Sequence, residues 1–223
     1  MSEELIFAGY PVYRATPGWA ESQEDRDVAA KEVQALVDEY RGSVEMRGAY
    51  SLAGFRADAD LMFWWVSSSI DALQDLSVAL RQTRLGRTLT PREQFLGLVR
   101  PAEFTVDHQP AFVQGKPPKK YICVYPFVRT PEWYLLDPKE RGALLREHGM
   151  AGREFDDVWA NTTSAFGLGD WEWILTFEAD SPDRIVELIR HLRGAEARRY
   201  TKVEIPFFSG VRKELQAVVA DLP

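Results

Sequence analysis

Three histidines, one cysteine and a set of aromatic residues carry most of the side-chain chemistry available to this chain. His148 follows Leu144 and Leu145 and precedes Ala151, a spacing that puts all four on one face of a helix opened by Asp137-Pro138. Such a histidine is either a core residue hydrogen-bonded to backbone or a metal ligand. No H-E-x-x-H run and no neighbouring Cys, His or Asp group completes a zinc site around it, so as a ligand it suits a metal whose other donors come from a macrocycle, as in haem. Tyr125 lies in the apolar run 121–128 just before that helix. Tyr121, Cys123, Tyr125, Phe127 and Arg129 alternate onto one strand face and line up a phenol, an aromatic ring and a guanidinium. The same pattern equally describes an edge strand with an amphipathic face, to which Pro126 is suited. His108 stands in Asp107-His108-Gln109-Pro110, a proline-punctuated loop, where a merely solvated histidine is the plain alternative. His191 falls off the apolar stripe of its helix and reads as a surface residue or one at a subunit contact. Cys123 reads as a small strand residue. As the lone cysteine it excludes an intrachain disulfide and any multi-thiolate metal centre. No Walker loop, Gly-rich dinucleotide turn or G-x-S-x-G elbow is present.

The elements that must hold these residues repeat. In the second half, strands are expected at 121–128, 158–166, 171–178 and 201–208. Helices follow Asp137 and the run Asp180-Ser181-Pro182-Asp183, the latter with Ile185, Leu188, Ile189 and Leu192 on one face. The first half gives the same order: strands at 5–13, 48–55, 60–66 and about 95–100, a helix over 24–41, and another capped by Ser69. Asp71, Leu73, Leu76, Leu80 and Arg81 fall on Asp183, Ile185, Leu188, Leu192 and Arg193 when shifted by a constant offset. Each half is therefore β-α-β-β-α-β, the ferredoxin-like plan, and two such halves can pack sheet against sheet into an α+β barrel. The domains are read as 1–99 for the first repeat, 100–120 for a connecting loop and 121–223 for the second repeat. The loop holds four of the 13 prolines and His108.

The chain has 223 residues, 45% hydrophobic and 27% charged, with a net charge of −7. That length buries cores without metal or disulfide staples. The acidic balance argues against nucleic acid as a partner. No apolar run approaches the ~18 residues of a membrane span, and no basic, then apolar leader opens the chain, so a cytoplasmic location is expected.

Several stretches together resemble the chlorite dismutase superfamily, and within it the actinobacterial coproheme decarboxylase branch. They are R-P-A-E-F with H-x-P-A-F (100–112), Y-I-C-V-Y-P-F-V-R with E-W-Y-L-L (121–136), R-E-H-G-M-A-G-R-E (146–154), A-N-T (160–162), E-W-I-L-x-F-E-A-D (172–180), R-H-L-R-G-A-E-A-R-R (190–199) and P-F-F-S-G (206–210). The likeness is strong from about residue 45 onward. It implies two ferredoxin-like repeats per chain, a homopentameric ring and a haem-type group in the C-terminal half. His148 matches the iron ligand on the proximal side and His108 the distal histidine, which would move a proton on bound hydrogen peroxide. Tyr125 matches the redox-active tyrosine, Arg129 a basic position near the propionates, and Trp133 a tryptophan near the substrate edge. The implied substrate is iron coproporphyrin III (coproheme), also the redox cofactor of its own conversion. Hydrogen peroxide is the oxidant and haem b the product, with a transient contact to the upstream ferrochelatase. Chlorite dismutases carry a distal arginine on the strand after the proximal histidine, where this chain has Asn161, which weighs against chlorite breakdown. A haem peroxidase or chlorite dismutase-like enzyme and a non-catalytic haem-binding protein are the competing readings.

Overall fold

The computed structural model of the chain describes residues 5–100 and 109–223. It separates into two units, Met1–Val99 with Ser209–Pro223, and Arg100–Phe208.

In the first unit, β1 (Phe7–Ala15), α1 (Gln23–Tyr40), β2 (Glu45–Ser51), β3 (Leu61–Ser67), α2 (Ile70–Leu80) and β4 (Leu89–Leu98) follow in the expected order. Within the unit the strands run β4-β1-β3-β2, antiparallel, with Phe7 opposite Ser67 and Tyr13 opposite Leu61. The sequence dictates both helix starts. Ser22 and Asp25 exchange hydrogen bonds in a capping box at α1, and the Ser69 hydroxyl accepts from the Ala72 amide at α2. Val33 and Val37 of α1 and Leu73, Leu76 and Leu80 of α2 are buried in one core with Phe63 and Trp65.

The second unit repeats the plan with β5 (Tyr121–Arg129), α3 (Pro131–Leu135), α4 (Pro138–Arg153), β6 (Trp159–Ser164), β7 (Trp173–Ala179), α5 (Pro182–Leu192) and β8 (Thr201–Val203). Its strand order, β6-β7-β5-β8, is that of the first unit, with Tyr125 opposite Leu175 and Phe127 opposite Trp173. Asp137 caps α4 by accepting from the Lys139 amide.

Three expectations change. The closing strand predicted at 201–208 stops at Val203, ahead of Pro206, which has no amide to give a ladder. Phe208–Lys213 forms a separate strand, β9, whose Val211–Lys213 pair with Ser51–Ala49 of β2. The second repeat does not run to residue 223. Ser209–Pro223 belongs to the first unit, where α6 (Leu215–Ala220) packs against α1 and buries Leu215, Val218, Val219 and Leu222 in its core. The apolar face of α4, whose spacing points His148 at the sheet rather than at water, is only half-buried. Gly142 is its one fully buried residue, and the helix rests mainly on α5 and the turn Glu196–Tyr200.

Docking of the C-terminal helix sets a test. Leu215→Ala should cost about 2–4 kcal/mol, as for a large-to-small change in a packed core. Urea unfolding of the variant would read this as a lower midpoint at constant slope. A loss below about 0.5 kcal/mol, the range of surface changes, would mean that this segment is not part of the core.

Candidate functional site

The face of β5 carries the phenol and the guanidinium. Tyr125 is 5% exposed; its ring stacks on Phe207 at 4.4 Å between centroids and lies tilted to Phe177 at 6.1 Å. Burial holds the phenol well above its ordinary titration range. The nearby Cys123 and Glu204 push the same way, while Arg193 and Arg198 pull it back. The side chain is therefore a neutral phenol throughout the working pH range, with both a proton and an electron to give.

Arg129 ends the same strand and is 9% exposed. Its Nη1 donates to the Ala197 carbonyl at 2.8 Å. The guanidinium carbon lies 4.0 Å from the centroid of Trp133 and 4.4 Å from that of Phe127, so Phe127 and Arg129 share a face as the alternation predicts. Burial lowers the arginine to about 10, against the pull of Tyr134, Glu204 and Glu172. The group stays cationic near neutrality. Among the described residues no carboxylate forms an ion pair with its guanidinium. Glu172 instead takes the Arg129 backbone amide at 2.7 Å and the Tyr134 hydroxyl at 2.6 Å on one oxygen, fastening α3 to the end of β5. Trp133, expected at the substrate edge, is 4% exposed and packs between Arg129 and Tyr200, whose ring centre is 5.6 Å away. Its position is that of a support for the guanidinium.

The turn Glu196–Tyr200 gathers these groups. Ala197 receives Arg129, the Tyr200 carbonyl receives the Thr130 amide at 2.9 Å, and the Glu196 amide donates to Glu147 of α4 at 3.3 Å. Glu147 precedes His148, which is half-buried on α4. Glu204 pairs with both Arg193 and Arg198, the latter at 2.5 Å. Arg193, Arg198, Glu204, Ala197 and Phe207 carried no assigned role in the sequence reading. For Arg193, Ala197 and Arg198 the signal is the arginine-rich run 190–199, whose spacing does not say which arginine turns toward the strand.

His108 lies outside the described residues. The loop leaving it is held down by β6 and β7. Asn161 is 1% exposed; its Oδ1 accepts from the Phe112 amide at 2.9 Å, and its Nδ2 donates to the Thr176 carbonyl at 3.3 Å and to Glu178 at 3.2 Å. Glu178, wholly buried, also accepts from the Lys119 amide at 3.2 Å. Trp159 donates to the Pro117 carbonyl at 3.1 Å and is flanked by the ammonium groups of Lys116 and Lys119. Residues 109–120, the described part of the connecting loop, are thus tied to the second sheet by hydrogen bonds at Phe112, Pro117 and Lys119. Among the described residues no three His, Cys, Asp or Glu side chains converge as a metal cage, and no helix is long and apolar enough to cross a membrane.

Residues 26–213 match the family model described as chlorite dismutase. A coproheme decarboxylase of Mycolicibacterium smegmatis is 49% identical over 225 aligned positions, spanning 100% of this chain and 96% of that protein. A coproheme decarboxylase of Thermus thermophilus is 29% identical over 89% of this chain and 86% of its own. In fold, the chain is similar to chlorite dismutase from Candidatus Nitrospira defluvii. The TM-score is 0.87 at 24% identity, covering 98% of this chain and 95% of that one.

Asn161→Ala tests the clip on the loop. It removes the acceptor of the Phe112 amide bond and one donor to Glu178, a loss of about 1–3 kcal/mol for buried polar groups. Hydrogen exchange should quicken at Phe112 and along 109–116. Unchanged exchange there would show that Asn161 does not hold the loop.

Proposed function

This chain belongs to the chlorite dismutase family, and from that membership we propose that it oxidatively decarboxylates two propionates of iron coproporphyrin III, with hydrogen peroxide as oxidant, to give haem b. The observation that carries the reading is the set of side chains on one face of the second unit: a neutral buried phenol and a buried guanidinium that forms no ion pair with a carboxylate among the described residues. Those groups fit a porphyrin that brings its own carboxylates. His148 offers an imidazole on a capped, half-buried helix and would hold the iron by one ring nitrogen. Once bound, the iron porphyrin supplies one-electron oxidising chemistry toward peroxide.

The chain's own residues do the rest. Arg129 binds a propionate by charge-assisted hydrogen bonds, its guanidinium oriented by Ala197, Trp133 and Phe127. Tyr125 lies about 13 Å back along the strand, four residues at ~3.3 Å each, so a porphyrin lying along this face can bring a propionate to the phenol. Tyr125 gives up a proton and an electron, then takes a hydrogen atom from the propionate β-carbon. Loss of a second electron and of carbon dioxide leaves the vinyl group. Per propionate, one peroxide and one proton are consumed, and carbon dioxide and two waters are released. His108 is assigned the peroxide proton: its reference pKa near 6.5 suits both taking and returning it. A homopentameric assembly and a transient contact with the ferrochelatase that supplies the substrate belong to the same proposal.

Anaerobic loading with iron coproporphyrin III, then stepwise peroxide, tests it by the mass of the porphyrin. Wild type should lose carbon dioxide and two hydrogens twice. Tyr125→Phe should bind the porphyrin and consume peroxide yet form no vinyl group. Haem b made by Tyr125→Phe at a near wild-type rate would place the radical elsewhere, with Trp133 next in line. Peroxide consumed by wild type with all propionates retained would favour a peroxidase.

A further inference from the structure

The first unit has an open surface pocket of about 290 Å³ lined by Tyr13, Leu80, Arg81, Gly86, Leu89 and Pro91, with Arg81 and Pro91 themselves exposed. Its wall is built rather than incidental. A Cβ on Gly86 would come within 1.8 Å of the Leu80 carbonyl oxygen, so only glycine lets this turn close against the end of α2. Tyr13 is 4% exposed, and its hydroxyl has no hydrogen-bond partner among the described residues. Burial raises its titration, and the charge of Arg81 opposes that rise. Arg81 caps the C-terminus of α2 and forms no ion pair with a described carboxylate.

The cavity occupies a meaningful place in the repeat. Arg81 ends α2 as Arg193 ends α5. Tyr13 stands opposite Leu61, the first residue of β3, as Phe127 stands opposite Trp173, the first residue of β7. The position matching Tyr125 falls at Pro11, so no phenol of the first repeat stands where Tyr125 does. The first repeat thus keeps a guanidinium and an aromatic ring at this corner, with different chemistry.

We propose that this cavity is a second ligand site, for a small aromatic monocarboxylate. Both polar side chains on its wall can donate, one phenol and one guanidinium, and none of them is a carboxylate. Leu80, Leu89, Pro91 and the Tyr13 ring give apolar walls suited to a ring. The volume of about 290 Å³ lies just under the roughly 300–1,000 Å³ of ligand pockets, room for one ring and too little for a porphyrin. The last carbonyls of α2 carry partial negative charge, so an anion here depends on Arg81.

Fluorine NMR titration of the full chain with 4-fluorobenzoate tests this. Wild type should show saturable binding. The neutral 4-fluorobenzamide and the Arg81→Gln variant should each bind about tenfold weaker, the worth of one charge-assisted contact. Tyr13→Phe should weaken binding several-fold. Leu89→Trp, which fills the cavity at a half-exposed position, should abolish it with the circular dichroism spectrum unchanged. Arg129→Gln, which removes the guanidinium of the second unit, should leave binding intact. No saturable binding by wild type would overturn the proposal, as would affinity indifferent to Arg81, Tyr13 and Leu89, or loss of binding in Arg129→Gln alone.

Discussion

The hydrogen bond from Arg129 to the Ala197 carbonyl is the contact on which the second unit's site depends. Burying a guanidinium is costly unless its hydrogen bonds and charge are answered. Here a carbonyl answers part of the hydrogen bonding and two aromatic faces answer part of the charge, each at the few tenths to ~2 kcal/mol typical of cation–π contacts. Burial has lowered the arginine only to about 10, so the charge survives at neutral pH and remains available to an incoming carboxylate. The same bond fixes the turn Glu196–Tyr200, and that turn holds α4 through Glu147. One short segment thus contacts both the strand end that carries the guanidinium and the helix that carries the imidazole.

Charge explains why the arginines lie where they do. The chain carries −7 overall, which repels an acidic porphyrin at long range. Arg129, Arg193 and Arg198 concentrate positive charge at one corner of the second unit, with Glu204 the carboxylate set among them. Glu204 is largely buried and receives two guanidiniums, so it orders Arg193 and Arg198 without cancelling them. The exposed pairs elsewhere, such as Arg184 with Asp157, contribute little by comparison. Tyr125 sits beside this cluster under stacked rings. Burial keeps its proton in place, which is the state a hydrogen-atom relay requires.

Much of this was legible from residue spacing. The stripes of α2 and α5, the Ser69 and Asp137 caps and the alternation of β5 are local signals, and each element formed where its signal stood. What the sequence hid were long-range choices. Leu215, Val218 and Val219 advertise an apolar helix but not that it returns to the first unit's core. Pro206 marks a break but not that the chain resumes against β2. The stripe holding His148 is a true helical face, yet a helix this polar can rest on a turn and a neighbouring helix as readily as on a sheet. Asn161 registers in the sequence only as the absence of an arginine; its role as a clip between Phe112 and Glu178 depends on partners far along the chain.

The central claim is that the Arg129 charge is kept for a carboxylate of the porphyrin. Equilibrium binding of iron coproporphyrin III and of its tetramethyl ester, to wild type and to Arg129→Gln, tests it most directly. The account predicts that the substitution weakens the acid by roughly ten- to a hundredfold, the worth of a hydrogen bond to a charged group, and leaves the ester nearly unchanged. An equal loss for both ligands, or none for either, would contradict it.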